Sequence, residues 1–215
     1  MAYEDYAVRP FDPVRDLDAV FRCYESGFGP GLRPLFEYSD RAAIEDMVMT
    51  DYRASSVALV AEAGGEARGL LFGTLSSRPL AGARFLLLEA AFMLRRMVWR
   101  RNEMRPLARA VLWHSYSREL FYFFLHSPGG KAAELEALSS QEGWRGGIGR
   151  ALTDAFVEQA RSAGFHRVDV YTDSELSWGF YERYGFRRVA EWTSHAYDFS
   201  LPDRDVTAYL YSLDI

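Results

Sequence analysis

Apolar and polar residues alternate over short runs in some parts of the chain and recur at helical spacing in others. Tyr6-Ala7-Val8-Arg9 reads as a strand, and after Asp12-Pro13 the residues Leu17, Val20, Phe21 and Tyr24 fall on one helical face. A second helix is predicted over Asp40 to Tyr52, where Ala43, Ile44, Met47 and Val48 share a face and Ser39 or Asp40 can cap the start. The apolar runs Val57 to Ala61 and Arg68 to Leu75 flank Ala63-Gly64-Gly65-Glu66, whose glycines suit the tight turn of a hairpin. Ala132 to Leu138 reads as a strand with Glu134 and Glu136 on one face and Leu135 and Ala137 on the other. A glycine-rich turn follows, and then a helix patterned by Ile148, Leu152, Phe156 and Ala160 that Gly164 ends. His166 to Thr172 is a strand, Thr172 to Glu175 can form a capping box, and Leu176 to Tyr184 is a short helix stopped by Gly185. Phe186 to Trp192 and Val206 to Leu213 complete the strands.

One region breaks this rhythm. From Ser77 to Gly130 two long helix-like stretches, Ala83 to Arg101 and Pro106 to Leu125, stand where the alternation would place a strand. The order β, α, α, β, β, insert, β, α, β, α, β, β predicts one mixed α/β domain over 1–215, with a helical insert at 77–130 between the third and fourth strands. The insert carries nine arginines against three glutamates, a net charge of +6, which leaves −11 on the remainder of a chain whose formal charge is −5. Its apolar residues, among them Phe85, Phe92, Trp99, Trp113 and Phe121, are too many to leave in water. They are expected to pack on the domain, wall a substrate pocket, form a homodimer interface or meet a membrane surface, in that order.

Composition narrows the classes. With 215 residues, 49% hydrophobic and 26% charged, the chain can bury a core without staples, and its lone Cys23 excludes an internal disulfide framework. A reducing cytoplasm fits. The net acidity opposes a surface that coats nucleic acid. The first residues lack the apolar run of a secretory signal, and Phe85 to Trp99, broken by Glu89, Arg95 and Arg96, is too short to span a bilayer, so no transmembrane segment is expected. His114, His126, His166 and His195 lack ligand spacing, and no metal site is assigned.

The chemistry concentrates in Glu142-Gly143-Trp144-Arg145-Gly146-Gly147-Ile148-Gly149-Arg150-Ala151-Leu152, which joins a strand to a helix N-terminus. There, unpaired N–H groups and the positive end of the helix dipole face a concavity opened by glycines, with Arg145 and Arg150 at its edges. Such a turn suits an anion. No Gly-Lys-Ser/Thr follows, and Leu152 stands at the third-glycine position, so neither a Walker loop nor a dinucleotide fingerprint is present. Too few elements follow for a complete doubly wound domain.

Three segments together resemble the GNAT superfamily of acyl-CoA-dependent N-acetyltransferases. They are Val8-Arg9-Pro10 with Asp16-Leu17-Asp18, the Trp144-Arg145-Gly146-Gly147-Ile148-Gly149 turn with its helix, and Gly179-Phe180-Tyr181-Glu182-Arg183-Tyr184-Gly185-Phe186. The resemblance implies a single mixed, mostly antiparallel sheet flanked by helices, with acetyl-CoA as co-substrate and no metal. It implies that the Gly147 to Ala151 amides, with Arg145 and Gly146 beside them, hold the CoA pyrophosphate. The backbone of Leu138, Ser139 and Ser140 would pair with the pantetheine arm where two strands splay apart. Tyr181 matches the tyrosine that protonates the leaving thiolate, Ser174 would lie near the cofactor, and Glu134 falls where some relatives keep a glutamate base. The turn is one residue shorter than the family's usual arginine, any, any, glycine, any, glycine spacing, and Trp144 stands next to its arginine.

Acetylating an amine requires a proton acceptor for the ammonium and a donor for the thiolate. Glu134, Glu136 or water can serve as the acceptor, with solvated strand carboxylates as the plainer reading of the pair. Tyr181, with Tyr184 as substitute, can serve as the donor, against a packing role for Ser177, Tyr181 and Tyr184 on one helix face. The expected reaction is acetyl transfer to a primary amine of a small molecule or peptide by direct attack in a ternary complex. The rival is a catalytically silent acyl-CoA-binding module whose insert meets a protein or membrane surface.

Overall fold

A computed structural model describes residues 6–35, 41–75, 125–126, 128–144, 146–194 and 205–215. Arg145, the proposed caps Ser39 and Asp40, and the insert's helical stretches up to residue 124 lie outside the described residues. The strands are β1 (Ala7–Pro10), β2 (Val57–Ala63), β3 (Glu66–Thr74), β4 (Ala133–Ser140), β5 (Arg167–Asp173), β6 (Arg187–Thr193) and β7 (Thr207–Asp214). The helices are α1 (Leu17–Leu35), α2 (Arg41–Ala54), α3 (Ile148–Ser162) and α4 (Gly179–Tyr184). The strands form a single sheet ordered β1-β2-β3-β4-β5-β7-β6, in which only β4 and β5 are parallel.

Each face of the sheet has its own core. Val20 and Tyr24 of α1 and Val48 of α2 pack with Val60, Leu70, Phe72 and Ala137 on one face. On the other, Ile148, Leu152, Phe156 and Ala160 of α3, spaced four apart, pack with Leu59, Leu71, Leu135, Val168 and Val170. Gly164 at φ +75° ends α3, and the Phe165 N–H reaches back to Ala160 O at 3.0 Å, which satisfies one of the last carbonyls. The close seat of α3 depends on a glycine in β3: a Cβ on Gly73 would lie 2.6 Å from the Phe156 ring and 2.8 Å from Glu134 O.

Two features of β4 position the site. Its parallel pairing with β5 runs only from Ala133↔Val168 to Leu135↔Val170. Beyond that, β4 follows β3 to Ser140 while β5 follows β7 to Asp173, so the sheet splits. The second feature is a bulge: Phe72 opposes Ala137 and Gly73 opposes Leu135, so Glu136 is the extra residue inserted on β4. The bulge corrects the expected alternation. Ala137 joins the α1 core rather than sharing the Leu135 face, whereas Glu134 and Glu136 remain together on the α1/α2 side.

The region before α4 also differs from expectation. The capping box at Thr172 and Glu175 does not form, because β5 continues to Asp173, whose Oδ1 accepts the Glu175 N–H at 2.9 Å. Turns then occupy 174–178, and the helix begins at Gly179 instead of Leu176.

Candidate active site

The split between β4 and β5 opens a cavity of about 610 Å³. Glu136, Leu138, Ser139 and Ser140 of β4 form one wall, and Tyr171 and Thr172 of β5 the opposite one. Gly27 and Phe28 of α1 close one side, and the α3 N-terminus and α4 close the other.

The split leaves backbone polar groups without a strand partner. The Gln141 N–H donates to Arg68 O of the β3 side at 2.9 Å, so by alternation Ser139 also directs its backbone toward β3. Leu138 and Ser140 therefore turn their N–H and C=O groups toward the gap. The Ser139 side chain is already committed, since its Oγ donates to Cys23 O at 2.6 Å. Here α1 approaches so closely that a Cβ on Gly27 would collide with Ser139 Oγ.

At the α3 end, Gly147 adopts φ +104° and no side chain among the described residues caps the helix. The first intrahelical bond is Ala151 N–H to Gly147 O at 2.9 Å. The amides of Ile148, Gly149 and Arg150 consequently have no acceptor within the helix. These three donors stand at the end of the glycine turn, whereas the Ala151 N–H is already paired and Ala151 does not line the cavity. The Ile148 side chain points into the core. Gly146, Gly147, Gly149 and Arg150 all line the cavity, with the Arg150 guanidinium 5.1 Å from the centre of the Tyr184 ring. Trp144 lies away from the lining, packed on the core beneath the Arg68 guanidinium at 4.8 Å.

Tyr181 lines the cavity from α4, with its ring packed against Phe186 and Tyr211 at centroid distances of 5.6 and 6.0 Å. Burial raises its phenol well above the ordinary value, so the hydroxyl keeps its proton at neutral pH. Tyr184 also borders the cavity, but its hydroxyl donates to Asp154 Oδ1 at 2.6 Å.

The bulge brings Glu136 to the lining, where Ser55 Oγ lies 2.9 Å from its Oε2. Behind it the Tyr24 hydroxyl donates to Asp51 Oδ2 at 2.6 Å. Burial pushes the Asp51 carboxyl up to about 6, although the Tyr24 hydrogen bond acts to lower it. Glu134, opposite Thr74 and Asp169 in the neighbouring strands, does not line the cavity. Neither does Ser174, whose Oγ accepts the Thr207 N–H at 3.1 Å and ties the start of β7.

The cavity thus gathers Glu136, Leu138, Ser139, Ser140, Gly146, Gly147, Gly149, Arg150 and Tyr181 from the expected residues. It adds Gly27, Phe28, Tyr171, Thr172, Phe180 and Arg183, which sequence reasoning had not placed there. Phe180 and Arg183 lie beside Tyr181 in a motif read only for its tyrosines, and Gly27-Phe28 opens a run of glycines and prolines that reads as a helix breaker. No cluster of metal ligands occurs among the described residues.

The profile described as Acetyltransferase (GNAT) family matches residues 20–186. No curated protein sequence matches the chain. Among solved structures, the chain is similar to SsHAT at a TM-score of 0.64 and 25% identity, over 97% of this chain and 98% of that one. An agmatine N-acetyltransferase variant in its apo form superposes at a TM-score of 0.61 with 14% identity, over 98% of this chain and 100% of that one. Ard1 from Thermoplasma volcanium does so at 0.57 with 18% identity, over 98% and 97%. At those identities the latter two show the fold alone.

Proposed function

The chain belongs to the GNAT acetyltransferase family, and from that premise we propose that it transfers an acetyl group from acetyl-CoA to a primary amine of a small molecule or peptide, by direct attack in a ternary complex. Acetyl-CoA supplies the acetyl group as an activated thioester. The residues present suit such a co-substrate: uncapped amides at the α3 N-terminus for a pyrophosphate, and Leu138 and Ser140 polar groups facing the split for an amide-bearing arm. Arg150 and Arg183 add positive charge on that side of the cavity. Because acetyl-CoA is made and used inside cells, this reading places the reaction in the cytoplasm.

Glu136 accepts the proton that the ammonium must lose before its nitrogen can attack, and Tyr181 donates to the departing thiolate. Glu136 is preferred to Glu134 because it lines the cavity. Tyr181 is preferred to Tyr184 because the Tyr184 hydroxyl already serves Asp154. The observation that carries the proposal is the meeting, in one cavity, of an uncapped helix N-terminus, a split pair of strands, a carboxylate and a protonated phenol.

Calorimetry with CoA, alongside acetyl-CoA turnover over a panel of primary amines, tests it. Micromolar CoA binding and acetylation of at least one amine are expected. Absence of CoA binding at near-millimolar concentration would overturn the proposal, and tight CoA binding without acetylation of any amine would leave only an acyl-CoA-binding module.

A further inference from the structure

Ser55 stands just beyond α2 and meets two oxygens at once. Its Oγ lies 2.7 Å from Asp51 O and 2.9 Å from Glu136 Oε2. A hydroxyl carries one proton and a backbone carbonyl only accepts, so Ser55 cannot donate in both contacts at the same time. If Glu136 is ionised, the Ser55 proton points to Oε2. If Glu136 is protonated, its own O–H donates to Ser55 Oγ, and the Ser55 proton turns to Asp51 O. Both patterns fit the same heavy-atom positions.

This property matters for a group that must cycle between two protonation states. An arginine, a lysine or a backbone N–H can only donate, so it favours the carboxylate and resists the acid. We propose that Ser55 is a positioning residue that holds Glu136 in one orientation in both of its protonation states, an inference that rests on the reading of Glu136 as the proton acceptor. During the cycle one proton passes from the substrate ammonium to Glu136, and Ser55 retains its own and only redirects it.

The surroundings make Ser55 a firm point. Its N–H donates to Asp51 O at 2.9 Å, and Asp51 is tied through its carboxylate to Tyr24 of α1. The bulge that inserts Glu136 into β4 turns its side chain toward this corner. Among the described residues, titratable groups on this face include Cys23 and Tyr24 from α1, Asp51 and Tyr52 from α2, Glu134 from the same strand, and Asp169 and Tyr171 from β5.

Two measurements test the inference. In crystals of the native protein at pH 4 and at pH 8, Glu136 should stay within about 3.2 Å of Ser55 Oγ at both, whereas in Ser55→Ala it should leave that position at one pH or both. Departure of the native Glu136 at either pH overturns the proposal. In kinetics with an amine found by the panel, Ser55→Ala should lower kcat about tenfold, the equivalent of about 1.4 kcal/mol, with CoA Kd and amine KM within about twofold. Ser55→Thr, which keeps the hydroxyl, should restore most of the rate. Ser55→Ala combined with Glu136→Gln should be no slower than Glu136→Gln alone. Multiplied losses in the double variant, or a Thr variant no faster than Ala, would overturn the role of Ser55 while sparing Glu136 as acceptor. An unchanged kcat in Glu136→Gln would instead remove the acceptor assignment, and the inference with it.

Discussion

A phenol can protonate a thiolate only if it still carries its proton, and the packing of Tyr181 among aromatic rings secures that. Tyr181→Phe should therefore lower kcat by about 10²-fold while CoA Kd measured by calorimetry stays within about twofold. A rate equal to the native one would reduce Tyr181 to a packing residue. A different test falls on Asp51, whose carboxyl is raised from 3.8 to about 6 chiefly by burial. An acid with a raised folded pKa binds its proton more tightly folded than unfolded. Its contribution is thus favourable below the unfolded value and is lost as pH climbs from about 4 through 6, a change of at most about 3 kcal/mol. Asp51→Asn carries no such titration and can still accept from Tyr24. Its unfolding free energy, followed by urea denaturation between pH 4 and pH 7.5, should gain on the native protein as pH rises. Parallel curves for the two proteins would show that the Asp51 environment does not resist ionisation.

At the scale of elements, the end of α3 joins backbone geometry to ligand chemistry. Gly147 at φ +104° lies where an L side chain is strained, and its conformation aims the uncapped amides of α3 into the cavity. Gly147→Ala should cost about 1–2 kcal/mol of stability and weaken CoA binding at least about tenfold. A variant that binds CoA as the native protein does would move the pyrophosphate away from α3. This helix was legible from Ile148, Leu152, Phe156, Ala160 and Gly164 because period and stop signal agree in one short segment. Alternation in β4 was legible only up to Glu136. The extra residue at Glu136 depends on how β3 and β4 pair across the sequence, and no local pattern marks it, which is why Ala137 was expected on the wrong face. The turn before α4 was illegible for a similar reason: Ser174 Oγ accepts from Thr207, a distant strand residue, and Asp173 Oδ1 takes the Glu175 N–H that a cap at Thr172 would have bound. The second half of α1 was hidden by composition, since Gly27-Phe28-Gly29-Pro30-Gly31 opposes a helix that nevertheless continues to Leu35 and brings Gly27 against Ser139.

For the molecule as a whole, the unequal charge distribution bears on the acceptor. The segment 77–130 carries +6 and the rest of the chain −11, and it connects β3 to β4, the strand that supplies Glu136. A basic segment joined to that strand would repel a polycation and favour an amine that bears a carboxylate or phosphate. Glu136 would then receive the ammonium while the insert receives the anion. The sheet itself should tolerate removal of the segment, because Thr74 and Glu134 are already register partners in an antiparallel pair and a short turn can join their ends. Replacing 77–130 by a short Gly-Ser turn should thus leave CoA Kd within about threefold while acetylation of anionic amines is lost or loses its selectivity. Arg95→Glu with Arg96→Glu in the intact chain gives the same test without deletion, and should raise KM for an anionic amine more than for a neutral one at unchanged CoA Kd. If amine kinetics survive in both variants, the insert does not contribute to acceptor recognition. A folded deletion that no longer binds CoA would place the segment against the co-substrate instead, and sedimentation of the native and deleted chains would then show whether its apolar residues join two copies.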